Sequence, residues 1–160
     1  MLTELDHLPR EFLHVEASEL HAILPGSTLI HLPGRREAPL FVSILLHGNE
    51  DTGLKAMQVV LKKYQQQLLP RALSLFVGNI EAARAGVRRL QGQVDFNRVW
   101  PSDEDAEITE EHRMMQTVTD IMRKRGVFAS IDIHNNTGLN PHYACLNRLD
   151  EPFLHLATMF

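Results

Sequence analysis

The run Leu40-Phe41-Val42-Ser43-Ile44-Leu45-Leu46 constrains this chain more than any other segment. It is almost continuously apolar and β-favouring, without the polar/apolar alternation of a half-exposed strand. Such a strand needs cover on both faces, which points to a largely parallel sheet flanked by helices on each side. The run also ends on a polar string, His47-Gly48-Asn49-Glu50. Ligands of α/β sheets collect just past the carboxyl ends of the strands.

The flanking pattern agrees with an α/β chain. Apolar residues at loosely helical spacing (Leu5, Leu8, Phe12, Val15, Leu20, Ile23) predict a helix, or helix plus loop, at the periphery over 1–24, broken by Pro25-Gly26. Strands are predicted at Thr28–Leu32, at 40–46, at Leu73–Val77, at 127–133 and at 142–146. Helices are predicted over 52–67, with Asp51 or Thr52 as N-cap, and over 107–125, where acids come first and Lys124-Arg125-Gly126 closes the pattern. Pro152 opens a last helix. Residues 80–105 show no clear periodicity, and a loop of that length usually carries function. The result is a mixed, largely parallel sheet. The closing residues 153–160 read as the start of an apolar helix with no C-cap, so 1–160 is expected to be one domain at the front of a longer protein.

Composition narrows the function classes. A net charge of −4 with no basic, aromatic-rich cluster argues against nucleic-acid binding. No apolar stretch approaches the roughly 20 residues that span a bilayer. The N-terminus lacks a basic segment followed by an apolar run, so no signal peptide is expected. Cys145 is the one cysteine, which excludes an intrachain disulfide and a Cys-rich zinc site. It is expected to be buried in a strand. A cytoplasmic protein fits these features. Of nine histidines, only His47 and His134 sit at predicted strand ends among other ligand types.

Three strings carry chemistry. His47 and Glu50 are three residues apart beyond a buried strand; if the chain turns helically there, both face one side and can reach one metal ion. Gly48 would permit a tight turn. Asp132-Ile133-His134 supplies a third ligand, with Asp132 placed to orient the imidazole. Two imidazoles and a carboxylate, with a fourth position left for water, form the ligand set of many hydrolytic zinc sites. Asp95-Phe96-Asn97-Arg98 brings a guanidinium fork that matches a substrate carboxylate, with Asn97 adding a neutral hydrogen bond. Upstream, Arg84, Arg88 or Arg89 could polarise a scissile carbonyl. The turn Asn135-Asn136-Thr137-Gly138 could line the pocket, and Asn135 is taken as a substrate-binding candidate.

In order, these strings resemble the succinylglutamate desuccinylase/aspartoacylase family, a branch related to the zinc carboxypeptidases. Its pattern is H-G-x-E after a strand, then G-N-x-x-A, D-x-N-R and D-x-H-N. Here they are His47-Gly48-Asn49-Glu50, Gly78-Asn79-Ile80-Glu81-Ala82, Asp95-Phe96-Asn97-Arg98 and Asp132-Ile133-His134-Asn135. The resemblance implies one Zn²⁺ on His47, Glu50 and His134, and a substrate carboxylate on Asn97 and Arg98. It implies Arg88 as the arginine that polarises the carbonyl, counting from Gly78-Asn79. Counting back from Asp95 misses it, because the chain carries two residues more than the family spacing near Gln91-Gly92-Gln93, and Arg89 is the alternative. The family's general base is a later glutamate. After His134 the acids are Asp150 and Glu151, too near to match it.

The function expected is a zinc-dependent amidohydrolase acting on a small N-acyl amino acid. Two alternatives stand beside it: a metallocarboxypeptidase acting on peptides, and a non-catalytic zinc-binding domain. This chain alone is expected to turn over little substrate.

Overall fold

The computed structural model describes residues 1–101, 109–136, 139 and 141–159. Its strands are β1 (Thr3–Leu5), β2 (Thr28–Leu32), β3 (Leu40–Ile44), β4 (Leu73–Val77) and β5 (Ala129–Asp132). They form one sheet in the order β1-β2-β4-β3-β5. The β1–β2, β3–β4 and β3–β5 pairs are parallel, and β2–β4 is antiparallel. The helices are α1 (Thr52–Lys63), α2 (Ile80–Arg84), α3 (Glu110–Lys124) and α4 (Glu151–Ala157).

Side-chain alternation along the central strands builds two cores. Val42 and Ile44 of β3, with Leu73, Leu75 and Val77 of β4, face Leu54, Met57 and Leu61 of α1. Phe41 and Phe76 face the other way, against Met114, Met115, Val118 and Met122 of α3. β4 is buried along its whole length. Helices therefore cover both faces of a mixed, largely parallel sheet, as the apolar run of β3 requires.

The first 24 residues depart from the expected peripheral helix. They form β1 and two short 3₁₀ helices, Arg10–Leu13 and Ala17–Ala22. Phe12 and Leu20 are fully buried in the α1-side core. Gln58 of α1 donates to the carbonyls of Phe12 and Val15, both at 2.8 Å. Pro9 interrupts the helical run, and the tighter turns let both aromatic and aliphatic anchors point inward.

Two other differences have physical reasons. α1 ends at Lys63 rather than at 67, because Gln65, Gln66 and Gln67 are exposed and offer nothing to bury. The strand expected at 142–146 does not form, and Cys145 is exposed rather than buried. A strand needs a ladder partner, and among the described residues β5 is bonded only to β3. The expected start of α3 at 107 lies outside the described residues, as do Thr137, Gly138 and Phe160. The described helix begins at Glu110 behind the N-cap Thr109, whose capping box is completed by His112. No helix among the described residues is long and apolar enough to cross a membrane.

His31 is a buried histidine of β2. Its Nδ1 lies 2.9 Å from Ser74 Oγ on β4, and its Nε2 lies 3.4 Å from Glu4 Oε2 on β1. Burial, with the Arg125 guanidinium nearby, lowers its pKa below the usual 6.5 despite Glu4. The fold therefore favours neutral His31. Its contribution to stability is complete above the unfolded value and is lost as pH falls through about 6.5, where the unfolded chain takes up the proton first. Thermal melts at pH 7.5 and 5.5 are expected to show a smaller acid-induced drop in His31→Gln than in the parent chain.

Candidate metal centre

The site begins with a kink. Leu45 has φ of 54°, a left-handed conformation that costs a non-glycine residue roughly 1–2 kcal/mol. This ends β3 at Ile44, two residues before the apolar run stops. Leu45 stays in the α1-side core, while Leu46 joins the α3-side core. Burying two leucines, at about 2–3 kcal/mol each, offsets that strain. The Asn79 amide donates to Leu45 O at 2.6 Å and the Gly78 amide to Ile44 O at 3.0 Å, fixing the bend.

His47 then enters a turn closed by the Glu50 amide bonding to His47 O at 3.1 Å. Gly48 does not have a positive φ, so the tight-turn role expected for it is replaced by one of contact. A Cβ there would lie 2.2 Å from Ala82 C and Ala83 N, against the backbone of α2. That neighbour is main chain and has little room to give. Gly48→Ala is expected to destabilise the fold by about 1–3 kcal/mol or more. A lowered denaturation midpoint together with reduced metal uptake would register it.

His47, Glu50 and His134 converge. One ligand atom from each lies within 4.8 Å of the others, and His47 and Glu50 are buried. His134 follows the carboxyl end of β5, next to β3 in the sheet. The two imidazole rings are 5.1 Å apart, centroid to centroid. Glu50 Oε1 lies 2.9 Å from His47 Nδ1, and its Oε2 lies 2.8 Å from His134 Nδ1. The Asn135 amide also donates to Oε2, at 3.1 Å.

The outer ring nitrogens face carboxylates. His47 Nε2 lies 2.9 Å from Asp95 Oδ1, and His134 Nε2 lies 2.5 Å from Asp132 Oδ2. Ser43 Oγ holds Asp132 in place by donating to its other oxygen at 2.7 Å. A carboxylate only accepts, so each Nε2 carries a proton. His134 Nδ1, which faces Glu50, carries one as well when no metal is present, and in both rings Nδ1 is the nitrogen turned toward the cluster. His47 Nδ1 is the telling atom. It is buried, and although near Glu50 it has no hydrogen-bond partner of acceptable geometry. An orphaned buried nitrogen beside a carboxylate and a second imidazole fits a zinc ligand set.

The electrostatics are those of a charged cluster. Partial burial opposes ionisation of Asp95, but the Asn97 amide, His47 and Arg88 outweigh it and hold the carboxyl at about 2. Asp132, opposed by burial and joined by Glu50, raises His134 to about 8. Without a metal, His134 is an imidazolium at neutral pH and must release a proton before it can ligate.

Arg88 is the arginine that reaches the cluster. It donates to Glu50 Oε1 at 3.1 Å and to Asp95 Oδ2 at 3.4 Å. Arg89 turns away and donates to Gln93 O at 2.7 Å. Asn97 and Arg98 lie on the short 3₁₀ helix Phe96–Arg98, which Asp95 caps by accepting from the Asn97 amide. Phe96 anchors that helix in the α3-side core. The exposed Arg98 donates to its neighbour's carbonyl, Asn97 O, at 3.1 Å. Asn135 Oδ1 accepts from the Thr52 amide at 3.3 Å, at the start of α1. The side chain of Asp51, the N-cap residue, makes no capping bond and instead pairs with Lys55 at 2.6 Å.

Sequence reasoning assigned no part to Asp95 in holding His47, nor to Asn79 or Gln93. Asn79 caps α2, a helix lying within a stretch expected to be irregular. The signal for it was G-N followed by Ala at the fifth position, with Asn a preferred N-cap.

The catalytic-domain model of the succinylglutamate desuccinylase/aspartoacylase family matches residues 40–160. The fold is similar to the X-ray structure of a succinylglutamate desuccinalase from Vibrio parahaemolyticus, with a TM-score of 0.53 at 17% identity. The match covers 68% of this chain and 38% of that one. No curated protein matches the chain. Ordered motifs, three of which supply His47, Glu50, Asp95, Asp132 and His134 to one cluster, and a family model that matches three quarters of the sequence lead to one conclusion: the chain belongs to the succinylglutamate desuccinylase/aspartoacylase family.

Proposed function

We propose that this chain carries the zinc site of a hydrolase that cleaves the amide bond of a small N-acyl amino acid. The observation that carries this reading is the orphaned, buried Nδ1 of His47 set among Glu50 and His134, each imidazole held from behind by a carboxylate. A zinc ion bound by His47, Glu50 and His134 supplies a Lewis acid and a water of lowered pKa.

The chain's own groups have distinct parts. Asp95 and Asp132 hold the two imidazoles in the tautomer that leaves Nδ1 for the metal. Arg88, half exposed at the edge of the cluster, stabilises negative charge developing on the carbonyl oxygen. Arg98 and Asn97 hold the substrate carboxylate, and Asn135 orders the wall between Glu50 and α1. Among the described residues the carboxylates at the centre are all engaged with His or Arg. Asp150 caps α4 and pairs with Arg148 at 3.1 Å, so it is not a free base. A cytoplasmic setting accords with the single cysteine.

The test is an assay of the zinc-loaded product of the whole reading frame on N-succinyl-L-glutamate, N-acetyl-L-aspartate and short peptides. Hydrolysis of an acyl amino acid is expected. Cleavage of peptides alone would favour the metallocarboxypeptidase reading, and zinc binding without any turnover would favour a non-catalytic relative.

A further inference from the structure

We propose that Asn79 and Gln93 form a clasp that positions Arg88, making both of them positioning residues for the metal centre. The inference rests on the reading of that centre given above. Asn79 is 2% exposed and sits where β4 turns into α2. Its Oδ1 accepts from the Ala82 amide at 3.1 Å as the helix cap. Its Nδ2, left over from that task, donates to Gln93 Oε1 at 2.8 Å, and Gln93 Nε2 returns a bond to Asn79 Oδ1 at 3.3 Å. Two amides paired in this way satisfy a buried group that would otherwise be costly to leave unmade.

Gln93 does more than close the pair. Its Oε1 also accepts from the Leu90 amide at 3.0 Å, and its backbone carbonyl accepts from Arg89 Nη1 at 2.7 Å. The Gln93 amide donates to Leu90 O at 3.1 Å, and Gly92 takes the positive φ of 77° that this turn needs. The segment that follows Arg88 is thus folded back on itself and tied to Asn79 at the end of β4. At its near end Arg88 O accepts from the Gly48 amide at 3.0 Å, inside the turn that carries His47 and Glu50. Arg88 is an exposed side chain on a loop with few apolar anchors: Val87 and Leu90 are 40% and 37% exposed. On its upstream side the loop is held by the Val87 amide donating to Ala82 O at 3.0 Å, and on its downstream side by the hydrogen bonds of Gln93 to Leu90, Arg89 and Asn79. Gln93 and Asn79 therefore supply the downstream half of what fixes Arg88 over Glu50 and Asp95. The clasp also turns Arg89 outward and so selects between two adjacent arginines.

The proposal is tested on the full chain with two readouts. Amide hydrogen exchange on the metal-free protein reports the clasp directly. Gln93→Ala is expected to speed exchange at Leu90 and at Gly48 by about tenfold or more, while core amides of β4 keep their protection. Zinc titration reports Arg88. Removing a cation that competes for Glu50 should tighten zinc binding in Arg88→Ala by about three- to tenfold. If Gln93 acts by holding Arg88, Gln93→Ala shifts the affinity in the same direction and by the same factor. The double variant then shifts it no further. Unchanged exchange at Gly48 in Gln93→Ala, or affinity changes that add in the double variant, would overturn the proposal. Should the parent chain bind no zinc, the metal reading fails, and exchange at Gly48 and Leu90 still decides the clasp.

Discussion

His47→Ala and His134→Ala are each expected to abolish stoichiometric zinc in the purified protein. The geometry makes the two losses alike in outcome and different in detail. In the proposed centre each ring would contribute its Nδ1, and each is held from behind at Nε2, so alanine would remove a ligand and also free a carboxylate. Losing a ligand should cost more than the roughly 10–100-fold that follows from losing a ligand's outer partner. Asp95→Asn and Asp132→Asn supply that comparison, since both keep the size of the side chain and weaken only the hold on the ring. Zinc content after dialysis, with affinity by competition titration, should therefore grade the variants. The histidine variants are expected to lose all metal and the asparagine variants to retain weakened binding. His47→Ala has a second consequence. It removes the unpartnered Nδ1 but also the Nε2 bond to Asp95 and a buried ring. The metal-free variant is therefore expected to be less stable than the metal-free parent, by less than a fully hydrogen-bonded buried ring would cost. Full zinc occupancy surviving both alanine substitutions would sink the assignment.

The parts of this centre that were legible in the sequence are those where chemistry and element type coincide. A seven-residue apolar run announces a doubly covered strand, and a histidine at its end is conspicuous. The same holds at His134, where Asp132 two residues earlier pointed to the carboxylate that now sits 2.5 Å from Nε2. Less legible was anything that depends on a contact distant in sequence. Asp95 reaches His47 across 48 positions, and no local period marks it. Asn135 was legible as a pocket-lining candidate, but not its contact with the α1 N-terminus, where its side-chain oxygen accepts from the Thr52 amide while Asp51 pairs with Lys55.

The N-terminal segment misled for a related reason. The stripe Leu5, Leu8, Phe12, Val15, Leu20 and Ile23 has loosely helical spacing. Spacing alone does not distinguish a stripe that covers a core from one whose members, such as Phe12 and Leu20, enter it. Here Gln58 supplies hydrogen bonds to the intervening carbonyls, which lets short 3₁₀ turns replace one helix. At 142–146 the error ran the other way. β-Favouring residues specify a strand only where a neighbour completes the ladder, and none among the described residues does so.

Arg88→Ala is expected to lower kcat by about 10²–10³-fold in the product of the whole reading frame, the loss typical when one donor to a developing oxyanion is removed. The sequence left Arg88 and Arg89 both open, and the contacts of the two favour Arg88. Arg88 reaches Glu50 and Asp95, whereas Arg89 is committed to Gln93 O. Arg89→Ala should accordingly change kcat by less than about tenfold, acting only through the loop. The two effects of Arg88 have opposite signs in different assays, which makes the variant unusually diagnostic. A guanidinium 3.1 Å from a ligand carboxylate opposes the arrival of a dication, so its removal should tighten zinc binding while turnover collapses. Weaker zinc binding together with slower turnover would instead mean that Arg88 serves mainly to hold Glu50 and Asp95 in place. Arg98→Ala gives the contrast. Its guanidinium touches no zinc-ligand candidate and donates to Asn97 O, so zinc affinity should stay within about twofold while KM for a carboxylate-bearing substrate rises by about 10–100-fold. An Arg98 variant that loses zinc, or an Arg88 variant with normal kcat, would reverse the roles given to these two side chains.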